Sequence, residues 1–175
     1  MIFFFSCKSS EEISNQVRLN LVNNGHSISV FNRERIGQLV CDESFIVEES
    51  IYYDKDFNIL SSSRKSILYP NYLEIFDRNE NYIGNVRIIK TFINGKDVFV
   101  IVINDIESSI TYITNSFSDF SRPIFIYKEK NKISTIRNYG NKKWSISIYN
   151  SGIDANLLIH MFKFIRNDRF SNTLK

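Results

Sequence analysis

Along most of this chain apolar and polar residues alternate, and a polar or charged turn interrupts the alternation again and again. From Ser27 onward one pattern recurs: an alternating strand, a turn, then an apolar residue with another three positions later. The copies are "ISVFNRERIGQL" (28–39), "IYYDKDFNILSS" (51–62), "LEIFDRNENYIGNV" (73–86), "VIVINDIESSITYI" (100–113) and "IFIYKEKNKISTI" (124–136). Their turns centre on Asn32, Asp54, Asp77, Asp105 and Lys128, and the paired apolar positions are Ile36/Leu39, Ile83/Val86, Ile110/Ile113 and Ile133/Ile136. The second copy is the weakest, offering Ile59 with Ser62. Period-two alternation around residues that bond their own backbone or accept positive φ predicts five β-hairpins. The uneven spacing of the copies argues against a strict solenoid. "KKWSISIYN" (142–150) supplies a further strand through Trp144, Ile146 and Ile148. With an N-terminal strand, eleven or twelve strands result.

The pattern then changes period. Between Asp154 and Ile165 only Asn156, His160 and Lys163 are polar, at i, i+4, i+7; Ala155, Leu157, Leu158, Ile159, Met161, Phe162, Phe164 and Ile165 are apolar. A surface helix carries an apolar stripe on a polar cylinder; here the relation is inverted, and the run is too short to cross a bilayer. A long series of antiparallel hairpins removes its exposed edges by closing into a barrel. A barrel of about twelve strands is too wide for its own side chains to fill. The chain is therefore expected to be mainly β: a closed antiparallel barrel around a buried hydrophobic C-terminal α-helix near 154–166. The polar stripe would face a barrel mouth or a polar patch of the interior.

Composition agrees. The chain has 175 residues, 43% hydrophobic and 23% charged, with only 6 Gly and 2 Pro, which suits one folded domain. The barrel is expected over 27–168, with 169–175 a tail and 1–26 a separate N-terminal segment. "MIFFFSCKSSEE" resembles the cleavage end of a bacterial lipoprotein signal, with Cys7 as the lipidated residue. Yet Ile2–Phe5 is four residues with no positive region before it, short of a signal's apolar core. A strand at Ile2–Phe5 is the favoured reading; a lipid-anchored envelope protein starting further upstream is the alternative. Ser9-x-x-Glu12 could open a short helix with Ile13, Val17 and Leu21 on one face, stopping at Gly25. The same segment also alternates as Val17, Leu19, Leu21, which suits a strand; the helix is preferred at its start.

The repeated hairpins, above all "LEIFDRNENYIGNV", followed by "KISTIRN", "WSISIYN" and "DANLLIHMFKFI", resemble the tubby C-terminal-like superfamily, and within it the LURP-one-related and phospholipid-scramblase-like branch. The likeness spans about 28–166. It implies a twelve-stranded barrel around a central helix, with Asp154 in the place of the Asp that commonly opens that helix. Tubby-like domains bind membrane phosphoinositides through basic residues, whereas LURP-one-related members mostly lack a known activity. Neither the tubby lipid-binding residues nor an acidic calcium loop has a clear match in this chain, so the fold carries over with more weight than any activity.

Charge is distributed unevenly. Residues 1–63 hold 5 Lys/Arg and 9 Asp/Glu, residues 64–121 hold 6 and 7, and residues 122–175 hold 11 and 3. Arg122, Lys128, Lys130, Lys132, Arg137, Lys142 and Lys143 fall together with one acid, Glu129. Lys128, Lys130, Lys132, Arg137, Lys142 and Lys143 are the candidate contacts to an anionic phospholipid or membrane surface. Strand direction sends the Lys128–Lys132 turn and the Gly140 turn to opposite ends, which favours solvated tips over one patch. Nucleic acid is a weaker partner: Tyr127, Tyr139 and Trp144 lie among the cations, but strand aromatics are normally core. A protein partner of unnamed kind is the third option.

No enzyme signature emerges. His26 falls in a turn, and His160 reads as a hydrogen-bonded core histidine. There is no zinc spacing, phosphate loop or nucleophile elbow. The acid pairs Glu11-Glu12, Asp42-Glu43 and Glu48-Glu49 would point to opposite faces of a strand. Cys7 and Cys41 are read as free thiols. The expectation is a non-enzymatic binding or scaffold module without metal or cofactor, cytoplasmic or peripheral to a membrane.

Overall fold

A computed structural model describes residues 17–24, 27–43, 47–66, 68–149 and 152–166. Twelve strands form in chain order: β1 (Val17–Asn23), β2 (Ser27–Asn32), β3 (Glu34–Glu43), β4 (Val47–Asp54), β5 (Ile59–Ser66), β6 (Tyr72–Asp77), β7 (Tyr82–Ile93), β8 (Lys96–Asp105), β9 (Ile110–Thr114), β10 (Ile124–Lys128), β11 (Asn131–Asn138) and β12 (Lys143–Ile148). One helix, α1 (Ala155–Arg166), follows. Each strand pairs with its sequence neighbours, and β1 pairs antiparallel with β12, so the sheet is a closed barrel.

All five repeated hairpins are present, and two of their turns share a mechanism. In the β4–β5 turn the Asp54 carboxylate accepts the N–H of Asp56 at 2.8 Å and of Asn58 at 2.9 Å. In the β6–β7 turn Asp77 accepts from Asn79 and Asn81, both at 2.8 Å. Hydrogen bonds from Asn58 and Asn81, side chain first, hold both carboxyls below the usual carboxylate range. Phe57 and Glu80 take positive φ in equivalent places, a strain the bonded Asp helps offset. Gly37 and Gly84 also occupy equivalent places, opposite bulged partners: a Cβ would lie 2.4 Å from the Tyr53 carbonyl oxygen at Gly37 and 2.4 Å from that of Asn104 at Gly84. Only glycine lets those backbones approach so closely.

Inward side chains such as Ile28, Val30, Leu39, Ile75, Val86, Ile101, Ile126 and Ile146 are buried in one core with Leu157, Leu158, Ile159, Met161, Phe162, Phe164 and Ile165 of α1. The helix starts where Asp154 accepts the Asn156 N–H at 2.8 Å, an N-cap bond. Ile36, Ile83 and Ile110 are half-buried against the core, while Ile113 faces out and Tyr112 takes the inward place.

Two expectations are corrected. Residues 17–23 are strand, not the continuation of a helix from Ser9: Leu19 and Leu21 are buried and Val17 is exposed, a period of two set by pairing on both sides. The barrel therefore begins at Val17, ahead of the boundary expected at 27. In the second hairpin neither Ile59 nor Ser62 is buried; the inward row of β5 is Ser61, Ser63 and Lys65. Ile2–Phe5, Cys7, the Ser9–Glu12 box, His26 and the 169–175 tail lie outside the described residues.

Because consecutive turns alternate, the β2–β3, β4–β5, β6–β7, β8–β9 and β10–β11 turns gather at one end with the start of α1, here the aspartate end. The β5–β6, β7–β8, β9–β10 and β11–β12 connections gather at the far end. There Phe117 and Phe120 fold inward, Phe120 onto Trp144, which meets Phe162 of α1 edge-on at 5.1 Å between ring centroids.

Candidate functional site

The polar stripe of the helix turns toward β4 and β5. His160 is fully buried, with Nε2 3.0 Å from Ser61 Oγ. Lys163 Nζ lies 3.9 Å from Glu48 Oε1, and Lys65 Nζ lies 2.5 Å from Glu48 Oε2. The serine row that makes the second hairpin look weak is thus the complement of the helix stripe. Glu48 faces in to Lys65 while its neighbour Glu49 faces out to Arg64, at 3.0 Å, as adjacent strand residues must. The cluster joins the polar stripe of α1 to β4 and β5 through side chains that are mostly buried.

Burial pushes the His160 imidazole down from 6.5 to about 3. An unfolded chain takes up the proton below 6.5 and the folded one does not, so stability falls as pH drops through that window. Lowering pH from 6.5 to 5 is expected to cost about 2 kcal/mol at roughly 1.4 kcal/mol per unit. Urea unfolding of the wild type and of His160→Gln at both pH values checks this: the slope should flatten in the variant. Equal slopes would assign the acid sensitivity elsewhere. The turn carboxylates Asp54 and Asp77 act only below the usual carboxylate range, so the window isolates the histidine from them.

On the outside, the six predicted cations divide. Lys128, Lys130 and Lys132 surround the β10–β11 turn at the aspartate end, and Lys132 Nζ lies 5.2 Å from the ring centroids of both Phe125 and Tyr149. Lys142 and Lys143 lie at the β11–β12 turn, the length of β11 away, roughly 25 Å at 3.4 Å per residue. The six residues do not form one patch, in keeping with the strand directions expected from the sequence.

Arg137 and Lys143 instead meet two residues that no sequence pattern singles out. Closure of the barrel places β1 against β12, in register Asn20↔Ser145 and Val22↔Lys143, while Arg137 lies opposite Ser145 on the other side. Across β1, Asn20 pairs with Phe31, which brings Arg33 beside Arg18. The result is a groove of about 450 Å³ on the barrel wall, lined by Arg18, Asn20, Phe31, Arg33, Tyr139 and Lys143 among others. Arg18 donates to Tyr139 Oη at 2.9 Å, and Ser145 Oγ lies 3.4 Å from the same oxygen. Ser145, then the Arg18 and Arg137 cations, hold the phenol below its usual value. Among the described residues no carboxylate pairs with Arg18, Arg33, Arg137 or Lys143. Cations gathered without counter-charge around an exposed depression suit a phosphate or carboxylate ligand.

A larger groove of about 860 Å³ runs outside β5–β7, lined by Arg64, Leu68, Tyr69, Tyr72, Glu74 and Arg87 among others. Its Arg64 is already paired with Glu49, and Glu74 contributes an acid, so it is less suited to an anion. Of the aromatics that suggest base stacking, Trp144 is buried, Tyr127 half-buried and Tyr139 exposed. Cys41 is buried and free, its sulfur 3.5 Å from Ser50 Oγ. No described helix is long and apolar enough to cross a membrane.

No protein-family model matches the chain, and no curated protein does. Among solved structures, a protein from Arabidopsis thaliana, AT5G01750, is similar with a TM-score of 0.60 at 10% sequence identity, over 88% of this chain and 91% of that one. At that identity the likeness concerns the fold.

Proposed function

We propose that this protein is a non-enzymatic binding module that docks on anionic phospholipid, peripherally to a membrane, through the seam where its first and last strands meet. The observation that carries the reading is the set of Arg18, Arg33, Arg137 and Lys143 gathered without a carboxylate partner among the described residues. The repeated hairpins and the Asp154-capped central helix support placing the chain beside the LURP-one-related and scramblase-like branch of tubby-like barrels, and the plant protein of similar fold is compatible with that placement.

Basic residues near an anionic bilayer contribute about 1 kcal/mol each, and salt screens them. The chain should co-sediment with vesicles of phosphatidylcholine containing phosphatidylserine, less at high salt, and not with phosphatidylcholine alone. Arg18→Ala with Arg137→Ala should weaken binding about thirtyfold, from about 2 kcal/mol. Lys128→Ala, Lys130→Ala and Lys132→Ala together should do less. Wild-type protein that stays in the supernatant with every vesicle would end this reading and turn the search to protein partners.

A further inference from the structure

The β7–β8 hairpin is longer than the barrel needs. The β6–β7 ladder reaches only to Tyr72↔Arg87, and the β8–β9 ladder only to Val102↔Ile113, with one isolated bridge at Phe99↔Phe117 beyond it. The β7–β8 ladder continues past both, through Lys90↔Phe99, Thr91↔Val98, Phe92↔Asp97 and Ile93↔Lys96. It closes in a two-residue Asn94-Gly95 turn, both at positive φ, the form that suits a tight hairpin. An arm therefore projects from the far end, and its tip is apolar: Phe92 is 73% exposed and Ile93 52%. The neighbouring β5–β6 turn at the same end presents Leu68 and Tyr69, 82% and 68% exposed.

Large apolar side chains gathered at one edge of a surface mark a contact. Charge indicates which kind. Lys90 and Lys96 flank the Phe92-Ile93 tip, with Asp97 paired to Lys90 at 2.8 Å; Lys142 and Lys143 stand on the same rim, as do Asp42 and Asp119. The aspartate end also exposes Phe57, Ile59 and Ile106; Phe57 stands beside Asp54, Lys55 and Asp56, with Asp77, Arg78, Glu80, Asp105 and Glu107 on adjoining turns and Lys128, Lys130 and Lys132 on a further one. Next to the apolar side chains themselves the balance differs in sign, two lysines to one aspartate at the Phe92-Ile93 tip and two aspartates to one lysine around Phe57, so an anionic surface would favour the hairpin tip.

Resting on the anionic-lipid reading above, we propose that the Phe92-Ile93 hairpin tip, with the Leu68-Tyr69 turn beside it, inserts into the interfacial region of an anionic bilayer. Aromatic and aliphatic side chains enter the headgroup boundary while flanking lysines stay at the phosphate level. Insertion and seam electrostatics are separable, because the first is insensitive to salt and the second is not.

The experiment uses the full chain with phosphatidylcholine/phosphatidylserine vesicles. Phe92→Ser with Ile93→Ser, both exposed and so compatible with the fold, should reduce co-sedimentation at least tenfold at low and at high salt. Phe57→Ser should leave it unchanged. Phe92→Trp should shift its emission to the blue on vesicle addition and be quenched by brominated lipid, whereas the buried Trp144 should not respond. Binding retained by the serine pair, or emission from Phe92→Trp that ignores vesicles, overturns insertion while leaving the phospholipid reading in place. A wild-type chain that binds no vesicle overturns both.

Discussion

Leu158→Asp should abolish the folded state. Leu158 is wholly buried in the first turn of α1, within the core formed with the strands. Losing the leucine side chain alone costs about 2–5 kcal/mol, and leaving an unpaired charge in the interior adds several more. The sum, on the order of 5 kcal/mol or above, is comparable with the whole net stability of an ordinary domain. Circular dichroism should show no cooperative melting transition for the variant, whereas Leu158→Met should lose less than about 1.5 kcal/mol. A Leu158→Asp protein melting like the wild type would mean that the helix is not what the strands enclose.

The second large effect comes from the same interior. Glu48→Ala removes the carboxylate that lies between Lys65 and Lys163, two ammonium groups whose side chains are only 8% and 13% exposed. Stranding buried cations is expected to cost about 3–5 kcal/mol, far above the roughly 0–1 kcal/mol typical of an exposed pair such as Arg64–Glu49. Urea titration should place the Glu48→Ala midpoint well below that of Glu49→Ala. Lys163→Met, which leaves Lys65 with its partner, should be milder than Glu48→Ala. Equal midpoints for the two glutamate variants would show that both lysines reach water.

These two sites also mark what residue order alone reveals. The hairpins are legible because Asp54/Asn58 and Asp77/Asn81 write the same turn twice, and local turn chemistry needs no tertiary context. The helix is legible because an apolar cylinder with a single polar stripe is stable in water only when enclosed on nearly every side. Residues 17–23 are not, since Ile13, Val17 and Leu21 fit one period and Val17, Leu19 and Leu21 the other; pairing with β12, remote in sequence, decides between them. For the same reason Arg18 and Arg33 stay hidden in an acidic third of the chain, and only closure sets them beside Arg137 and Lys143. The serines of β5 look like a degraded repeat because the residue they answer, His160, comes almost a hundred positions later. The projecting hairpin does have a local signal, Phe92-Ile93-Asn94-Gly95, but it falls between two copies of the repeat.

The order of elements has a consequence for how the chain folds. Closing β1 onto β12 joins Val17 to Ile148, and the helix that fills the cavity is made after every described strand. A nascent polypeptide thus displays a dozen strands with bare apolar faces and open edges before the ribosome has produced what they wrap around. Contacts so distant in sequence make for slow folding, and collapsed strands lacking their core are prone to aggregate. Such a polypeptide reaches its native state only once the helix has been made, and chaperone holding until then would govern its yield.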